Sequence, residues 1–253
     1  MTRPAAPAHP AYEILDAEVP GPWVVTCDHA TNLVPDWLGG DLGLPPEDME
    51  RHIAYDIGAS GLAHGLARRL DSPAILVRIS RLVIDPNRGE DDPTLLMRLY
   101  DGSVIPANRH AGPEDMERRL DRLYRPYHDA VAELLASRPD PAVLAIHSFT
   151  PQLRGRPPRP WHVAVLHSHR DERLARAVLR RLMAEPDLFV GDNEPYSGHL
   201  PGDSIDRHAL EPGRLNVLIE LRQDLIETEA QQESWAERLA PLLSDALEEV
   251  RAG

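Results

Sequence analysis

The chain has 253 residues and a formal net charge of −14, and each of its 27 basic side chains is an arginine. Without lysine there is no Schiff-base amine, no Gly-Lys-Ser/Thr phosphate loop, no Ser–Lys dyad and no kinase-type lysine. The acidic balance excludes a general binder of nucleic-acid backbone, and with only 5% aromatic residues the core must be built from Leu, Val, Ile and Ala.

Residues 1–12, rich in Pro and Ala, read as a loose N-terminal arm, and residues 13–253 as a single α/β domain. Trp23–His29 is an apolar run that ends in polar groups, the pattern of a buried strand delivering side chains at its tip. Pro46–Leu70 has helical spacing, with Ile53, Ile57, Leu62, Leu66 and Leu70 on one stripe. Pro73–Ser80 predicts a second strand, and Arg81–Asp85 continues it in extended form up to Pro86. Gly89–Gly112 is polar and turn-rich, longer than a simple connection, and loops of that length tend to serve function. A helix is predicted over Pro113–Ser137, kinked or divided at Pro126. Pro141–Ser148 and Trp161–Ser168 are strands, Arg170–Met183 a helix, Arg214–Arg222 a strand and Glu227–Val250 an amphipathic helix. Alternation of strands and helices implies a three-layer αβα sandwich with ligands beyond the strand ends.

Cys27 is the sole cysteine, so no intrachain disulfide forms and a reducing compartment fits. No apolar run approaches the roughly 18 residues of a membrane span. The expectation is a cytoplasmic protein with no membrane or nucleic-acid partner, a monomer or small homo-oligomer.

Ionisable groups stand at the predicted strand ends: Asp28 and His29, then Asp85 with Asn87 and Arg88, then His147, and Glu220 within the late strand. Two His, a carboxylate and an Arg are the parts of a metal hydrolase, in which an ion acidifies water, a carboxylate takes its proton and arginine holds an anion. His29 and His147 are the candidate ligands. Asp56, placed on the helix after the first strand, is the best carboxylate ligand, and Asn32 is poorer because a neutral amide binds zinc weakly. Each has a structural alternative: a His after a strand is often just hydrogen-bonded, Asp56 can cap its helix, and Asn87 and Arg88 can be turn chemistry. Glu220 is harder to explain structurally, since a carboxylate in an apolar strand is costly to bury unpaired. His167 and His169 share a strand face as a weaker metal pair, and His199 and His208 lie in a Gly/Pro-rich stretch that covers the site. Cys27 and His29 suggest a thiol nucleophile, but residues two apart on a strand do not hydrogen-bond side chain to side chain.

Cys27–Asn32 (CDHATN), His52–Ala59 (HIAYDIGA), Ser80–Arg88 (SRLVIDPNR), Ile146–Pro151 (IHSFTP), Asn193–Gly198 (NEPYSG) and Ile219–Ile226 (IELRQDLI) together resemble the N-formylglutamate amidohydrolase family, in order across residues 22–226. The resemblance implies a phosphorylase/hydrolase-like α/β fold with a mixed central sheet, similar to that of zinc carboxypeptidases and aspartoacylases. It implies that Asp85, Asn87 and Arg88 match the Asp-x-Asn-Arg segment that holds a substrate carboxylate, with Ser148 also in the substrate site. It puts the later ligand on His147 and the general base on Glu220. The family's relatives carry His-x-x-Glu where this chain has His29-Ala30-Thr31-Asn32, so Asp56 is the substitute ligand. The function expected is metal-dependent hydrolysis of an N-formyl or N-acyl amino acid, with N-formyl-L-glutamate foremost, on a divalent ion, zinc in first place. Arg81 is the expected oxyanion partner. The alternative is a non-catalytic protein that binds an acidic acyl-amino acid in the same pocket.

Overall fold

The computed structural model describes residues 10–253. In chain order the elements are β1 (Tyr12–Leu15), β2 (Trp23–Cys27), α1 (Pro46–Met49), α2 (Ala59–Arg69), β3 (Ala74–Val77), β4 (Leu99–Tyr100), β5 (Ser103–Val104), α3 (Pro106–Arg109), α4 (Pro113–Arg119), α5 (Arg125–Ala136), β6 (Ala142–Phe149), β7 (Val163–Leu166), α6 (Arg173–Met183), β8 (Val190–Asp192), β9 (Asn216–Arg222) and α7 (Glu229–Ala252). The arm expected over residues 1–12 falls mostly outside the described residues, and strand structure has begun by Tyr12.

Seven strands form one mixed sheet in the order β1-β3-β2-β6-β9-β7-β8, while β4 and β5 make a separate hairpin. β3, β2, β6 and β9 run parallel, β1 is antiparallel at one edge, and β7 is antiparallel to β9. β6 is buried along all its length, as a central strand covered on both faces must be. One face packs against α2, α6 and α7 through residues such as Leu62, Leu66, Val178, Leu239 and Leu243. The other meets α5 and the segment around Ile79–Ile84 through Leu123, Tyr127, Val131 and Leu135. This is the expected αβα sandwich.

Two predicted elements differ from what folds, each for a local reason, and a third follows its prediction. The Pro46–Leu70 helix is broken: α1 ends at Met49 and α2 starts only at Ala59, after Gly58 in the left-handed region at φ 79°. Arg81–Asp85 is not extended but turns, with the Val83 N–H donating to the Ser80 carbonyl at 2.9 Å. The Pro113–Ser137 helix is divided near Pro126 as expected, by a π-helical turn over Leu120–Tyr124 that precedes α5 and lets the proline take its second position. Among the described residues no helix is long and apolar enough to cross a membrane.

Candidate active site

Strand order reverses between β2 and β6: β3 lies on the outer side of β2, and the chain returns to place β6 on its other side. Such a switch point opens a crevice at the carboxyl ends of the strands. His29 follows β2, His147 lies near the end of β6, and Glu220 on β9 is the register partner of His147. They border a cavity of ≈ 320 Å³, whose wall also includes Asp56, Arg81, Asn87, Arg88 and Ser148.

Asp56 reaches this crevice because the predicted helix is broken. The Ala54 carbonyl accepts from both the Ser80 hydroxyl (2.7 Å) and the Arg81 N–H (3.2 Å), and the Asp56 N–H donates to the His29 carbonyl at 2.9 Å. The turn before α2 is thereby stitched to β2 and to the segment after β3. A helix through Asp56 could not make these bonds. Asp56 therefore sits in a loop, not on the helix where sequence spacing puts it.

Asp56 Oδ2 stands 3.3 Å from His29 Nδ1, 2.9 Å from His147 Nδ1 and 3.2 Å from the Ser148 N–H. One ligand atom from each of His29, Asp56 and His147 can be chosen so that all lie within 4.8 Å of one another, and all three residues are buried. Tetrahedral donors about 2.0–2.2 Å from an ion stand roughly 3.4 Å apart, close to this spacing. On its far side His29 Nε2 lies 2.7 Å from Asp85 Oδ1. An ionised carboxylate only accepts, so Nε2 carries a proton toward Asp85. This carboxylate–histidine pairing is how metal-binding imidazoles are oriented, and the group can bind a metal ion.

The electrostatics follow from burial. Burial opposes ionisation of Asp56, but His29 and His147 outweigh it and hold the carboxyl far below its ordinary range. Burial likewise opposes a proton on His147, yet the bond from Asp56 raises that imidazole to about 9. Glu220 is pushed up to about 7 by burial, with His147 pulling the other way. Among the described residues its Oε2 accepts no hydrogen bond, and no arginine pairs with it.

Asp85 faces away from the cavity. Its Oδ1 accepts from His29 and from the Asn87 N–H (3.0 Å), and its Oδ2 from Arg81 Nε (3.2 Å) and Nη2 (2.8 Å). Both oxygens are occupied, so the carboxylate orients His29 and Arg81 and offers no lone pair to the cavity. Arg81 reaches Asp56 Oδ1 at 3.4 Å as well. Asn87 Oδ1 accepts from the Ser204 N–H at 3.3 Å, which leaves its amide Nδ2 as the free donor. Arg88 is steadied by Thr94 Oγ1 (3.1 Å) and the Asn87 carbonyl (2.6 Å). Ser148 Oγ donates to the Ile57 carbonyl at 2.8 Å.

Other sequence candidates lie elsewhere. Asn32 donates to the Met49 carbonyl at 2.9 Å, away from the three donors. His167 is held by Asp192 at 2.7 Å, and His208 forms a buried pair with His128 at 2.8 Å. His199 does line the cavity, its Nδ1 bonded to Ser168 Oγ at 2.8 Å, and His169 packs its ring on it. Cys27 is buried on the opposite face of the sheet with its thiol pushed up by burial, unsuited to attack. Asp28 bonds the Tyr127 hydroxyl with one oxygen and sets the other 3.8 Å from His147 Nε2. His52, Tyr100, Tyr196 and Asp203 also line the wall; His52 and Tyr196 fall in segments that carry the family resemblance but have no role assigned there, and Tyr100 and Asp203 draw no notice in the sequence.

The profile of the N-formylglutamate amidohydrolase family matches residues 21–227. A gene product of Agrobacterium tumefaciens is 34% identical, with 96% of each chain covered and a TM-score of 0.90. The N-formylglutamate amidohydrolase of Ralstonia eutropha JMP134 shares the fold at 23% identity, covering 98% of this chain and 100% of that one, with a TM-score of 0.69. No curated protein matches the chain significantly. A profile match over so much of the chain, on a sandwich whose strand ends gather a buried carboxyl beside a His–Asp–His group, settles the membership: this chain belongs to the N-formylglutamate amidohydrolase family and is an amidohydrolase.

Proposed function

We propose that the chain hydrolyses the amide bond of an N-formyl amino acid, N-formyl-L-glutamate foremost, and that it does so with a divalent metal held by His29, Asp56 and His147. The observation that carries this reading is the convergence of those three buried donors beside Glu220. A bound divalent ion supplies Lewis acidity, polarising a carbonyl and acidifying water. Glu220 is the general base: a carboxyl poised near neutrality accepts the proton of the attacking water and returns it to the departing amine. The amide C–N bond breaks, formate keeps the water's oxygen and the amino acid leaves with the proton.

Arg81 lies beside the donors with a guanidinium that Asp85 fixes in place, and it faces the charge that develops on the carbonyl oxygen. Asn87 Nδ2 and the Arg88 guanidinium hold the substrate's α-carboxylate, a pairing in which arginine supplies two parallel donors. Ser148 acts through its backbone N–H, which holds Asp56 in position. Asp85 is a positioning residue, acting through His29 and Arg81.

The test is formate release from N-formyl-L-glutamate by purified protein, with metal content measured alongside. Glu220→Gln is expected to lower the rate at least about 100-fold while leaving the metal content unchanged. Unchanged turnover in that variant, or full activity in metal-free protein, would overturn the mechanism. Tight binding of the substrate without formate release would instead select a binding-only protein.

A further inference from the structure

Arginines in this acidic chain are commonly tied to carboxylates: Arg125 to Glu90, Glu117 and Asp121, and Arg238 to Glu185 and Asp187. Arg159, packed against residues that line the cavity, is held differently. Its backbone is fixed, since the N–H donates to the Pro151 carbonyl at 2.8 Å. Its guanidinium lies over the Tyr196 ring at 4.9 Å and near the Phe149 ring at 5.8 Å. Nη1 donates to the Thr150 carbonyl (3.2 Å) and the Tyr196 hydroxyl (3.0 Å). Among the described residues no carboxylate pairs with it, and Nη2 and Nε have no acceptor.

Phe149, Thr150 and Tyr196 are all wall residues of the catalytic cavity. The charge of Arg159 also reaches the wall residue His52, whose imidazole is lowered to about 4 chiefly by burial. His52 is therefore neutral at physiological pH. Arg81 is committed to Asp85 and Asp56, and Arg88 is the one cation beside the Asn87 amide. A substrate with two carboxylates entering among Asp56, Asp203 and Glu220 needs a second cation, and Arg159, packed against the wall residues Phe149, Thr150 and Tyr196, is the neighbouring arginine with donors to spare.

We propose that Arg159 determines specificity by binding the side-chain carboxylate of an acidic N-acyl amino acid. This rests on the amidohydrolase reading above and assigns the residue that meets the second carboxylate of its substrate. Tyr196 is the positioning residue: its ring and hydroxyl hold the guanidinium in one orientation, so a neutral side chain of equal size finds unsatisfied donors there and binds more weakly.

The test compares N-formyl-L-glutamate with N-formyl-L-glutamine, which differ by the side-chain charge. Arg159→Gln is expected to lower kcat/KM for the glutamate compound about 10- to 100-fold, mostly through KM, and to change the glutamine compound less than about threefold. Arg159→Lys recovers part of the lost preference, which a merely structural guanidinium–aromatic stack would not do. Calorimetric binding of both compounds to the Glu220→Gln protein, with and without Arg159→Gln, gives the same comparison without turnover. An equal loss for both compounds, or an unchanged preference, overturns the proposal. If wild-type protein releases formate from neither, the formyl-substrate reading fails, and the calorimetric preference still decides the role of Arg159.

Discussion

Two carboxyls, Glu220 and Asp203, line the same cavity and are pushed up to about 7 by burial, yet they differ in what surrounds them. Glu220 faces the imidazole of His147, whereas Asp203 has the Asp206 N–H at 2.7 Å and the more distant charge of Arg88 to favour its ionised form. A folded-state value above the ordinary one means that the Asp203 contribution to stability is complete below about pH 4 and is lost as pH rises through about 7. Asp203→Asn keeps the acceptor and removes the ionisation, so its melting temperature relative to wild type should rise between pH 4 and pH 8; a constant difference across that range would contradict the buried acid. Asp85→Asn removes the charge that orients His29, and metal affinity measured against a competing chelator should fall about 10- to 100-fold. His29, His147 and Glu220 were legible in the sequence because a polar residue in or at the end of an apolar strand contradicts its surroundings. Asp85 was visible for the same reason, but which side its oxygens face depends on Arg81 and His29, and no spacing rule contains that. Tyr196 falls in a segment that carries the family resemblance, but Arg159 could not be singled out: nothing local separates an arginine that stacks on aromatic rings from one that is merely solvated.

At the scale of elements, apolar periodicity located the long strands and helices and failed where tertiary bonds outweigh it. Ile53 and Ile57 continue the stripe of α2, but the stitching of Ala54 and Asp56 to neighbouring segments is worth more than another helical turn. β1 and β8 went unread, being edge strands of 4 and 3 residues with little pattern to show. Gly58 is the hinge of the broken helix: besides its positive φ, a Cβ there would lie 2.0 Å from the Ile226 carbonyl oxygen. Gly58→Ala should destabilise the protein by about 2 kcal/mol or more in urea unfolding, and should weaken metal binding because Asp56 is two residues away. Normal stability with lost metal binding would instead place the strain wholly in the site.

For the whole molecule, the site is not what holds the layers together. Two apolar cores, one on each face of the sheet, account for the packing, and the His–Asp–His group lies at the strand ends between them. Stripping the metal with a chelator should abolish formate release and lower the melting temperature, while far-ultraviolet circular dichroism stays unchanged; activity should return with added divalent ion. Loss of secondary structure on chelation would mean that the ion is a structural element. The sheet order has a further outcome for biosynthesis. β9 is the last strand made, yet it lies between β6 and β7, so β7 and β8 have no place to dock until Asn216–Arg222 has been synthesised. Contacts so distant in sequence close slowly, and a ribosome-bound chain short of β9 holds an open half-sheet. Because Glu220 arrives on that closing strand, the nascent protein can gather His29, Asp56 and His147 but acquires the proposed base only as the sheet is completed.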